Sequence, residues 1–159
     1  MNYPNPVDFT GRAVIVTGGT KGIGFVIAEH FLQAGADVLV CARNEPENLP
    51  TVDGRSAAFR AVDVRDPDDA TALVRDAVDR FGRLDVLVNN AGGSPDADAA
   101  TVSPRFVEKI VALNLLAPAY MAQAANLVMR EQETGGAIVN IGSVSAHQPL
   151  PGTAAYSAA

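Results

Sequence analysis

Residues 12–24 read RAVIVTGGTKGIG, and this stretch decides the fold. Its apolar, β-branched run, Ala13 to Val16, predicts a strand buried on both faces, as strands are in parallel sheets. A glycine-rich turn follows at once. The order of strand, glycine-rich turn and helix directs backbone N–H groups and the positive end of a helix dipole at one point, which suits a phosphate group. The helix is predicted from apolar residues at helical spacing: Ile23, Val26, Ile27, Phe31 and Ala34.

The rest of the chain alternates predicted strands and helices. A helix is predicted to begin at Asp66, a capping residue followed by proline, and to end at Gly82. Residues 43–56 are expected to form a loop with room for one weak helical turn, and a longer helical region is predicted from Ser103 to about Glu133. This alternation predicts an α/β fold, a doubly wound parallel sheet of the Rossmann type, in one dinucleotide-binding domain over residues 1–159. The four strands predicted after the first are 37–42, 57–62, 84–88 and 137–141.

Composition excludes several functional classes. The chain has 159 residues, 48% of them apolar, which is enough for one domain with a core and excludes disorder. Its net charge of −6 and its lack of a basic cluster argue against a nucleic-acid partner. No apolar run approaches the length of a membrane span, and residues 1–11 lack the apolar segment of a signal peptide. The single cysteine, Cys41, allows no internal disulfide and fits a reducing compartment, so we expect a cytoplasmic protein with no membrane partner.

Two motifs carry a family resemblance. The glycines fall in the pattern T-G-x-x-x-G-x-G rather than G-x-G-x-x-G, and N-N-A-G at residues 89–92 follows the fourth predicted strand, at the sheet edge where ligands bind. Together they resemble the signatures of the short-chain dehydrogenase/reductase family. A tight turn that binds nothing is the alternative for the glycine pattern taken alone. The resemblance implies a cofactor site that includes Gly18, Thr20, Lys21, Gly22, Ile23, Gly24, Asn90, Ala91 and Gly92.

The end of the second strand predicts the cofactor. In a dinucleotide fold, an acid about 20 residues past the glycines holds the ribose 2′-OH, whereas an arginine accommodates a 2′-phosphate. Ala42 stands at that position and Arg43 comes next, while Lys21 adds a positive charge within the glycine turn. The resemblance agrees, because members that use NADP often carry basic residues at these two places. We therefore expect NADP rather than NAD; the alternative is that both side chains are solvated loop charges.

Two residues near the strand ends allow more than one interpretation. Asp63 follows the third strand and resembles the family's adenine-contacting aspartate, with Val64 beside it in the cofactor site. A turn or capping carboxylate is an equally good interpretation of Asp63. Cys41 is expected to be a small buried hydrophobe rather than a reactive thiol.

Asn114 stands out in the long helical region. An asparagine within the apolar run IVALNLL is unfavourable by helix propensity and must find hydrogen-bond partners. Pro118, four residues later, has no N–H for the Asn114 carbonyl, so we expect a kink. Asn114 also matches the family's catalytic asparagine, whose carbonyl holds a water of the proton relay. The alternative is a structural kink with a satisfied asparagine side chain.

Ser143 and Tyr156 are the candidates for the chemistry. Ser143 leaves the fifth strand, and Tyr156 comes 13 residues later, which matches the active-site pair of the family and selects Ser143 over Ser145. A phenol can protonate a carbonyl oxygen as hydride arrives, and a serine hydroxyl can hold that oxygen. The resemblance thus implies hydride transfer between NADP(H) and a small carbonyl or alcohol substrate. We expect His147, between the two, to be a surface loop residue.

The resemblance covers the whole chain but only the first part of a family member. The family motif is Tyr-x-x-x-Lys, and the sequence stops at Ala159, one residue before the lysine. That lysine would lower the pKa of Tyr156 by its positive charge. We therefore expect a domain that is incomplete after the fifth strand, and a chain that is poorly soluble and inactive when made alone. The alternative is a non-catalytic dinucleotide-binding fragment.

The stretch from Leu115 to Met129 leaves little polar face. A helix that is apolar nearly all round is buried on both sides, so one side is expected to face the sheet and the other a second subunit. The resemblance implies a homodimer or homotetramer that assembles through this helix. Cover by a further part of the same protein is the alternative.

Overall fold

A computed structural model of the chain describes residues 7–159. The first six residues of the predicted domain, and of the stretch considered for a signal peptide, lie outside the described residues. Five parallel strands form one sheet in the order β5–β2–β1–β6–β7, and β3 and β4 form a separate hairpin. The strands are β1 (Ala13–Thr17), β2 (Asp37–Ala42), β3 (Thr51–Val52), β4 (Arg55–Ser56), β5 (Ala58–Ala61), β6 (Val86–Asn89) and β7 (Ala137–Asn140).

Helices connect three of the four successive pairs of sheet strands, while the β3–β4 hairpin connects β2 to β5. The arrangement confirms the predicted doubly wound α/β fold. Both the strand order and the alternation of strands with helices are those of a Rossmann-type sheet. The α-helices are α1 (Gly22–Gln33), α2 (Pro67–Phe81), α3 (Pro104–Val111), α4 (Ala117–Met129) and α5 (Ala154–Ala158), with a π-helical turn at Ala112–Leu116 and a 3₁₀ turn at Val144–Ala146.

Strand β1 lies at the centre of the core and is buried along its whole length. Alternate side chains enter two apolar clusters on opposite faces of the sheet. Ile15 packs with residues of α2 and α4, whereas Val14 and Val16 pack with residues of α1. The continuous apolar run of the sequence thus serves two faces at once, as predicted for a parallel sheet.

Helix α1 presents to the sheet a face that only partly matches the predicted one, since Ile27 and Phe31 pack against the core as predicted. Its buried residues are Gly24, Ala28 and Leu32, whereas Ile23 is 67% exposed and Val26 is 50% exposed. The reason is close packing at the start of the helix, because a Cβ at Gly24 would collide with the Asn90 side chain and the Gly18 carbonyl. Small residues therefore face the sheet, and the larger side chains of the first turn point outward.

Helix α2 begins and ends where the sequence predicts. The Asp66 carboxylate accepts a hydrogen bond from the N–H of Asp68 at 2.8 Å, and Pro67 occupies the first turn. Gly82 ends the helix in the left-handed conformation, with φ of 77°. These signals act through neighbours in sequence, so the sequence alone identifies them.

Residues 43–56 contain a hairpin rather than a helical turn. Asp53 and Gly54, both with positive φ, form the turn between β3 and β4, and Asp-Gly is a typical hairpin signal. The hairpin carries Arg55, whose guanidinium donates to the carbonyls of Leu32 and Ala36 at 3.1 Å and 2.8 Å. Arg55 thereby satisfies carbonyls at the end of α1.

The helical region from Pro104 to Met129 is continuous across the π-helical turn. By length and composition alone it is long and apolar enough to cross a membrane, with a mean hydropathy of 1.3 in its most apolar window. The expectation that no apolar run approaches that length is therefore wrong. The core helix of a soluble protein passes the same test, and α4 packs against α2 and β6.

The strands begin at what we call the amino edge of the sheet and end at its carboxyl edge. At the amino edge, Asp85 is 6% exposed. Its carboxylate accepts hydrogen bonds from Arg12 Nη1 at 2.7 Å, from Arg83 Nε at 2.6 Å and from the N–H of Ala13 at 2.9 Å. Burial raises the pKa of Asp85, but the hydrogen bonds from Arg83, Ala13 and Arg12 outweigh it, so the pKa is lowered overall. Asp85 thus ties the start of β6 to the start of β1.

Candidate functional site

The glycine-rich turn lies at the carboxyl edge between β1 and α1. Gly18 and Gly22 have φ values of 64° and 56°, which side-chain-bearing residues rarely adopt. The N–H of Gly18 donates to the Cys41 carbonyl at 3.0 Å, and a Cβ at Gly18 would come within 3.1 Å of the Cα of Ala91. The turn therefore needs glycine both for its conformation and for its contact with the N-N-A-G segment.

Helix α1 begins at this turn with its N–H groups uncapped. Lys21 precedes the helix in extended conformation and provides no side-chain cap, and the first turn contains no acidic residue. A Cβ at Gly22 would meet nothing within 4 Å, so the space above the turn is open. Free N–H groups, a positive helix end and open space fit the pyrophosphate of a dinucleotide. Of the predicted site residues here, Ile23 is exposed, whereas Gly24 is buried against Asn90.

Thr17 holds the two motifs together by hydrogen bonds, although its role was not predicted from the sequence. Its side chain is 2% exposed, and Oγ1 accepts hydrogen bonds from the N–H groups of Asn90 and Ala91, both at 3.0 Å. In return, Asn90 Nδ2 donates to the Thr17 carbonyl at 2.9 Å. The available signal was a hydroxyl at the end of an otherwise apolar strand, which must find partners once buried.

Asn89, the first residue of N-N-A-G, joins neighbouring elements of the fold through its side chain. It is buried, and its Nδ2 donates to Asn140 Oδ1 at 2.9 Å and to the Pro118 carbonyl at 3.3 Å. These bonds join β6 to the end of β7 and to α4. The ends of β1, β6 and β7 are thus held together by side-chain amides and a hydroxyl.

Arg43 and Asp63 lie side by side at the ends of neighbouring strands. Ala42 pairs with Ala61, and the N–H of Val62 donates to the Ala42 carbonyl at 3.0 Å. Arg43 is exposed and, among residues 7–159, takes part in no ion pair. A free guanidinium at this place fits a 2′-phosphate.

The Asp63 carboxylate is bound within its own turn. It accepts hydrogen bonds from Arg65, from Nε at 2.8 Å, from the N–H at 3.1 Å and from Nη2. The hydrogen bond from the Arg65 side chain is the main reason that the pKa of Asp63 is lowered, and the charge of Arg43 lowers it further. The turn interpretation thus has direct support, and contact with an adenine stays a prediction. Val64 places its side chain in the apolar core.

Asn114 lies in the π-helical turn, where the kink was predicted. The N–H of Ala117 donates to the Ala112 carbonyl, five residues back, which is the π-helical pattern. Asn114 Oδ1 accepts from the N–H of Gly93 at 2.8 Å, and its Nδ2 donates to the carbonyls of Gly93 and Ile110 at 3.1 Å and 2.9 Å. The side chain thus fixes the segment that follows N-N-A-G, as the structural alternative predicts.

Ser143 and Tyr156 lie beyond β7. Ser143 Oγ accepts from the N–H of Ser145 at 3.2 Å and caps the 3₁₀ turn. Tyr156 is half-buried in α5, which packs against that turn and against α3. His147 is exposed, as expected. The fold therefore brings the helix that carries the phenol to the turn that Ser143 begins.

Two open clefts adjoin α5, between segments 94–107 and 150–155. Their volumes are about 560 Å³ and 240 Å³. The segments are joined by a hydrogen bond from the N–H of Ala97 to the Gly152 carbonyl at 3.0 Å. The smaller cleft has a lining of mainly small and apolar side chains: Ser94, Ala97, Ala99, Val102, Phe106, Val107, Gly152, Ala154 and Ala155.

Among residues 7–159 there is neither a cluster of metal-ligating side chains nor an exposed thiol. No group of three or more His, Cys, Asp or Glu side chains that could hold a metal ion occurs among residues 7–159. Cys41 is buried, as predicted, and burial raises the pKa of its thiol to about 12. A buried thiol of that pKa is a packing residue.

Comparisons with known proteins identify the family of this chain. Residues 12–159 match the family model for short chain dehydrogenases. An uncharacterized oxidoreductase of Mycobacterium bovis is 37% identical over 153 residues, which are 93% of this chain and 61% of that protein. The chain thus spans about 60% of the length of such curated relatives.

Solved structures show the same fold. A short-chain dehydrogenase/reductase variant of Serratia marcescens is 29% identical, with a TM-score of 0.85 over 94% of this chain and 63% of that one. An NADH-dependent reductase in complex with NAD is 26% identical, with a TM-score of 0.87 over 94% of this chain and 67% of that one. With a family match over nearly its whole length, this chain belongs to the short-chain dehydrogenase/reductase family of NAD(P)-dependent oxidoreductases.

Proposed function

We propose that this chain provides the cofactor site and the proton-transfer groups of an enzyme that moves a hydride between NADP(H) and a small carbonyl or alcohol. The observation that carries the proposal is the carboxyl edge, where Thr17 locks the glycine turn to N-N-A-G. Helix α1 begins directly after that glycine turn, and its N-terminus has no side-chain cap and no acidic residue. Because the chain spans about 60% of its relatives, the activity is proposed for the whole gene product that carries it.

Arg43 supports NADP over NAD. It is an exposed cation without an ion pair among the described residues, and it comes directly after Ala42, the position at which an acid would select the ribose 2′-OH. Lys21 adds a second exposed cation at the glycine turn. The NAD complex of the similar reductase concerns that protein, whereas the preference proposed here rests on this chain's own side chains.

We assign each group of residues a separate role in this reaction. When bound, the cofactor would supply or accept the hydride, held by the glycine turn, Arg43, Asp63 and the N-N-A-G segment. Tyr156 would donate a proton to the carbonyl oxygen as the hydride reaches the carbon, and Ser143 would hold that oxygen by a hydrogen bond. Asn114 would keep the segment around Gly93 in place through its two hydrogen bonds to it.

The exposed face of the 115–129 stretch supports self-association. Leu115, Leu116 and Leu127 are exposed there, while Met121 and Ala125 pack into the core. We propose that this face joins copies of the protein into a homodimer or homotetramer. We also propose a cytoplasmic location, because the only cysteine is a buried packing residue.

The test uses the whole gene product and titrates NADPH and NADH by nicotinamide fluorescence. NADPH is expected to bind at least about tenfold more tightly, and Arg43→Ala to remove most of the difference. Turnover of NADPH with a panel of ketones and aldehydes is expected to fall with Tyr156→Phe. Equal titration curves would refute the cofactor assignment. Tight NADPH binding with no turnover of any substrate would instead favour the non-catalytic alternative.

Self-association has its own measurement. Light-scattering chromatography of the whole gene product at micromolar concentration is expected to show a dimer or tetramer. Replacement of Leu115 and Leu127 by Lys should shift it toward the monomer, while the same change at the exposed Ile23 should not. A monomeric wild-type protein would contradict the proposal.

A further inference from the structure

Two arginines, Arg43 and Arg65, flank Asp63 at the carboxyl edge, and the proposed NADP site uses only Arg43. Because Ala42 pairs with Ala61, Arg43 stands opposite Val62, one residue before Asp63. Adjacent strands lie about 4.8 Å apart, and the charge of Arg43 lowers the pKa of Asp63, so we expect a phosphate held by Arg43 to lie near the Asp63 carboxylate. This inference rests on the proposed NADP site.

An Asp63 carboxylate without a positively charged partner would repel a 2′-phosphate bound at Arg43. Like charges close together repel, and the repulsion grows where water is partly excluded. The positive charge of Arg65 offsets this repulsion. Its guanidinium bonds both oxygens of Asp63, through Nε at 2.8 Å and 3.1 Å and through Nη2.

The turn that carries this pair is held in place by the protein itself. The N–H of Asp66 donates to the Asp63 carbonyl at 2.8 Å, and the N–H of Asp63 donates to Asp69 Oδ2 at 2.8 Å. Both side chains of the pair are about one-third exposed, at 34% for Asp63 and 30% for Arg65. The pair is thus preformed beside Arg43 and only partly screened by water.

We propose that Arg65 is a specificity-determining residue for the cofactor, because it neutralises Asp63 and so lets the 2′-phosphate of NADP bind beside Arg43. Arg65 acts through Asp63 rather than by gripping the phosphate. It should therefore affect NADPH, which carries the 2′-phosphate, far more than NADH, which does not. Its charge rather than its forked shape is what the role requires.

The experiment measures dissociation constants for NADPH and NADH on the whole gene product by nicotinamide fluorescence. Arg65→Ala is expected to reduce the preference for NADPH by about fivefold, the size of a partly exposed charge interaction. Arg65→Lys, which keeps the charge, should hold the preference within about twofold. Arg65→Gln replaces the alanine variant if that one fails to fold.

Two controls separate charge screening from damage to the fold. Arg80→Ala removes an arginine of α2 that pairs with Asp76 instead, and should leave the preference unchanged. In the double variant Arg65→Ala/Asp63→Asn the unscreened carboxylate is gone, so the preference should return toward the wild-type value. Loss of this rescue would overturn the screening role.

The outcomes also separate this inference from the proposed function. If the wild type binds both cofactors equally, the NADP assignment itself fails. If the wild type prefers NADPH but Arg65→Ala weakens both cofactors by the same factor, Arg65 only supports the fold and the inference is wrong. A lowered preference with rescue by the double variant supports it.

Discussion

The two edges of the sheet are held together by different kinds of side chain, charged groups at the amino edge and neutral groups at the ends of β1 and β6. At the amino edge, Asp85 gathers Arg12, Arg83 and the Ala13 N–H, so its charge is satisfied within the protein. At the carboxyl edge, neutral groups of Thr17 and Asn90 hold the backbone. The contrast teaches that this fold satisfies the charge of Asp85 within the protein at the amino edge. At the carboxyl edge, where ligands bind in such sheets, Arg43 takes part in no ion pair among residues 7–159.

The N-termini of α1 and α2 repeat the contrast at the carboxyl edge itself. Helix α2 is capped by Asp66 and carries acids in its first turn, Asp68 and Asp69. Helix α1 begins after Lys21, with no side-chain cap and no acid. Since acids and caps satisfy the positive end of a helix, only α1 keeps that end available for an anion.

Removing the Asp85 carboxylate at the amino edge should have the largest effect on the free energy of unfolding. Asp85→Ala leaves two guanidinium groups and a buried N–H without their partner, and is expected to cost about 3 kcal/mol in the free energy of unfolding. Asp37→Ala, which removes an exposed carboxylate paired with Arg55, should cost well below about 1 kcal/mol. Urea denaturation measures both. A loss for Asp85→Ala no larger than the control would contradict the stabilising role of Asp85.

Removing the hydrogen bonds of Thr17 at the carboxyl edge should lower the free energy of unfolding by a smaller amount. It should also weaken the binding of NADPH. Thr17→Val keeps the shape and leaves the N–H groups of Asn90 and Ala91 unpaired, with an expected cost of about 2 kcal/mol. NADPH affinity should fall as well, because the glycine turn loses its contact with N-N-A-G. Thr17→Ser keeps the hydroxyl and should preserve both. A valine variant with wild-type stability would show that the hydroxyl is dispensable.

The comparison of helix N-termini predicts a smaller effect confined to stability. Asp66→Ala removes the cap of α2 and should cost about 1 kcal/mol in the free energy of unfolding. The affinity for NADPH should stay the same, because the pyrophosphate is assigned to α1. Denaturation and cofactor titration on the same preparation check both halves. A matching drop in NADPH affinity would place α2, rather than α1 alone, at the cofactor.

The smallest effect concerns pH and Asp63. Because hydrogen bonds from Arg65 lower its pKa on folding, the unfolded chain binds the proton more tightly. The ionised group therefore stabilises the fold above its ordinary pKa of 3.8, and the contribution is lost as pH falls through the lower pKa of the folded state. Asp63→Asn should cost about 0.5 kcal/mol at pH 7, since the pair is partly exposed. Urea midpoints should converge with those of the wild type as pH falls below 3.8, and a constant gap would refute the titration.

Patterns that act through sequence neighbours could be predicted from the sequence. The strand, glycine turn and helix of residues 12–24, and the Asp66 cap with its Gly82 end, follow from local conformational preferences and short hydrogen bonds. The parallel sheet follows too, because a buried apolar strand between helices has few other ways to bury both faces.

Only the tertiary structure decided which surfaces meet. The buried face of α1 depends on Asn90, far away in sequence, which leaves room only for glycine at position 24. The partners of Thr17 and the role of Arg55 at the end of α1 likewise come from distant segments. Asp63 has two equal interpretations by sequence, and the hydrogen bonds from Arg65 to both of its oxygens support the turn interpretation. Packing against distant residues selects one face or one partner among several that local preferences allow, and a pattern along one chain does not contain that choice.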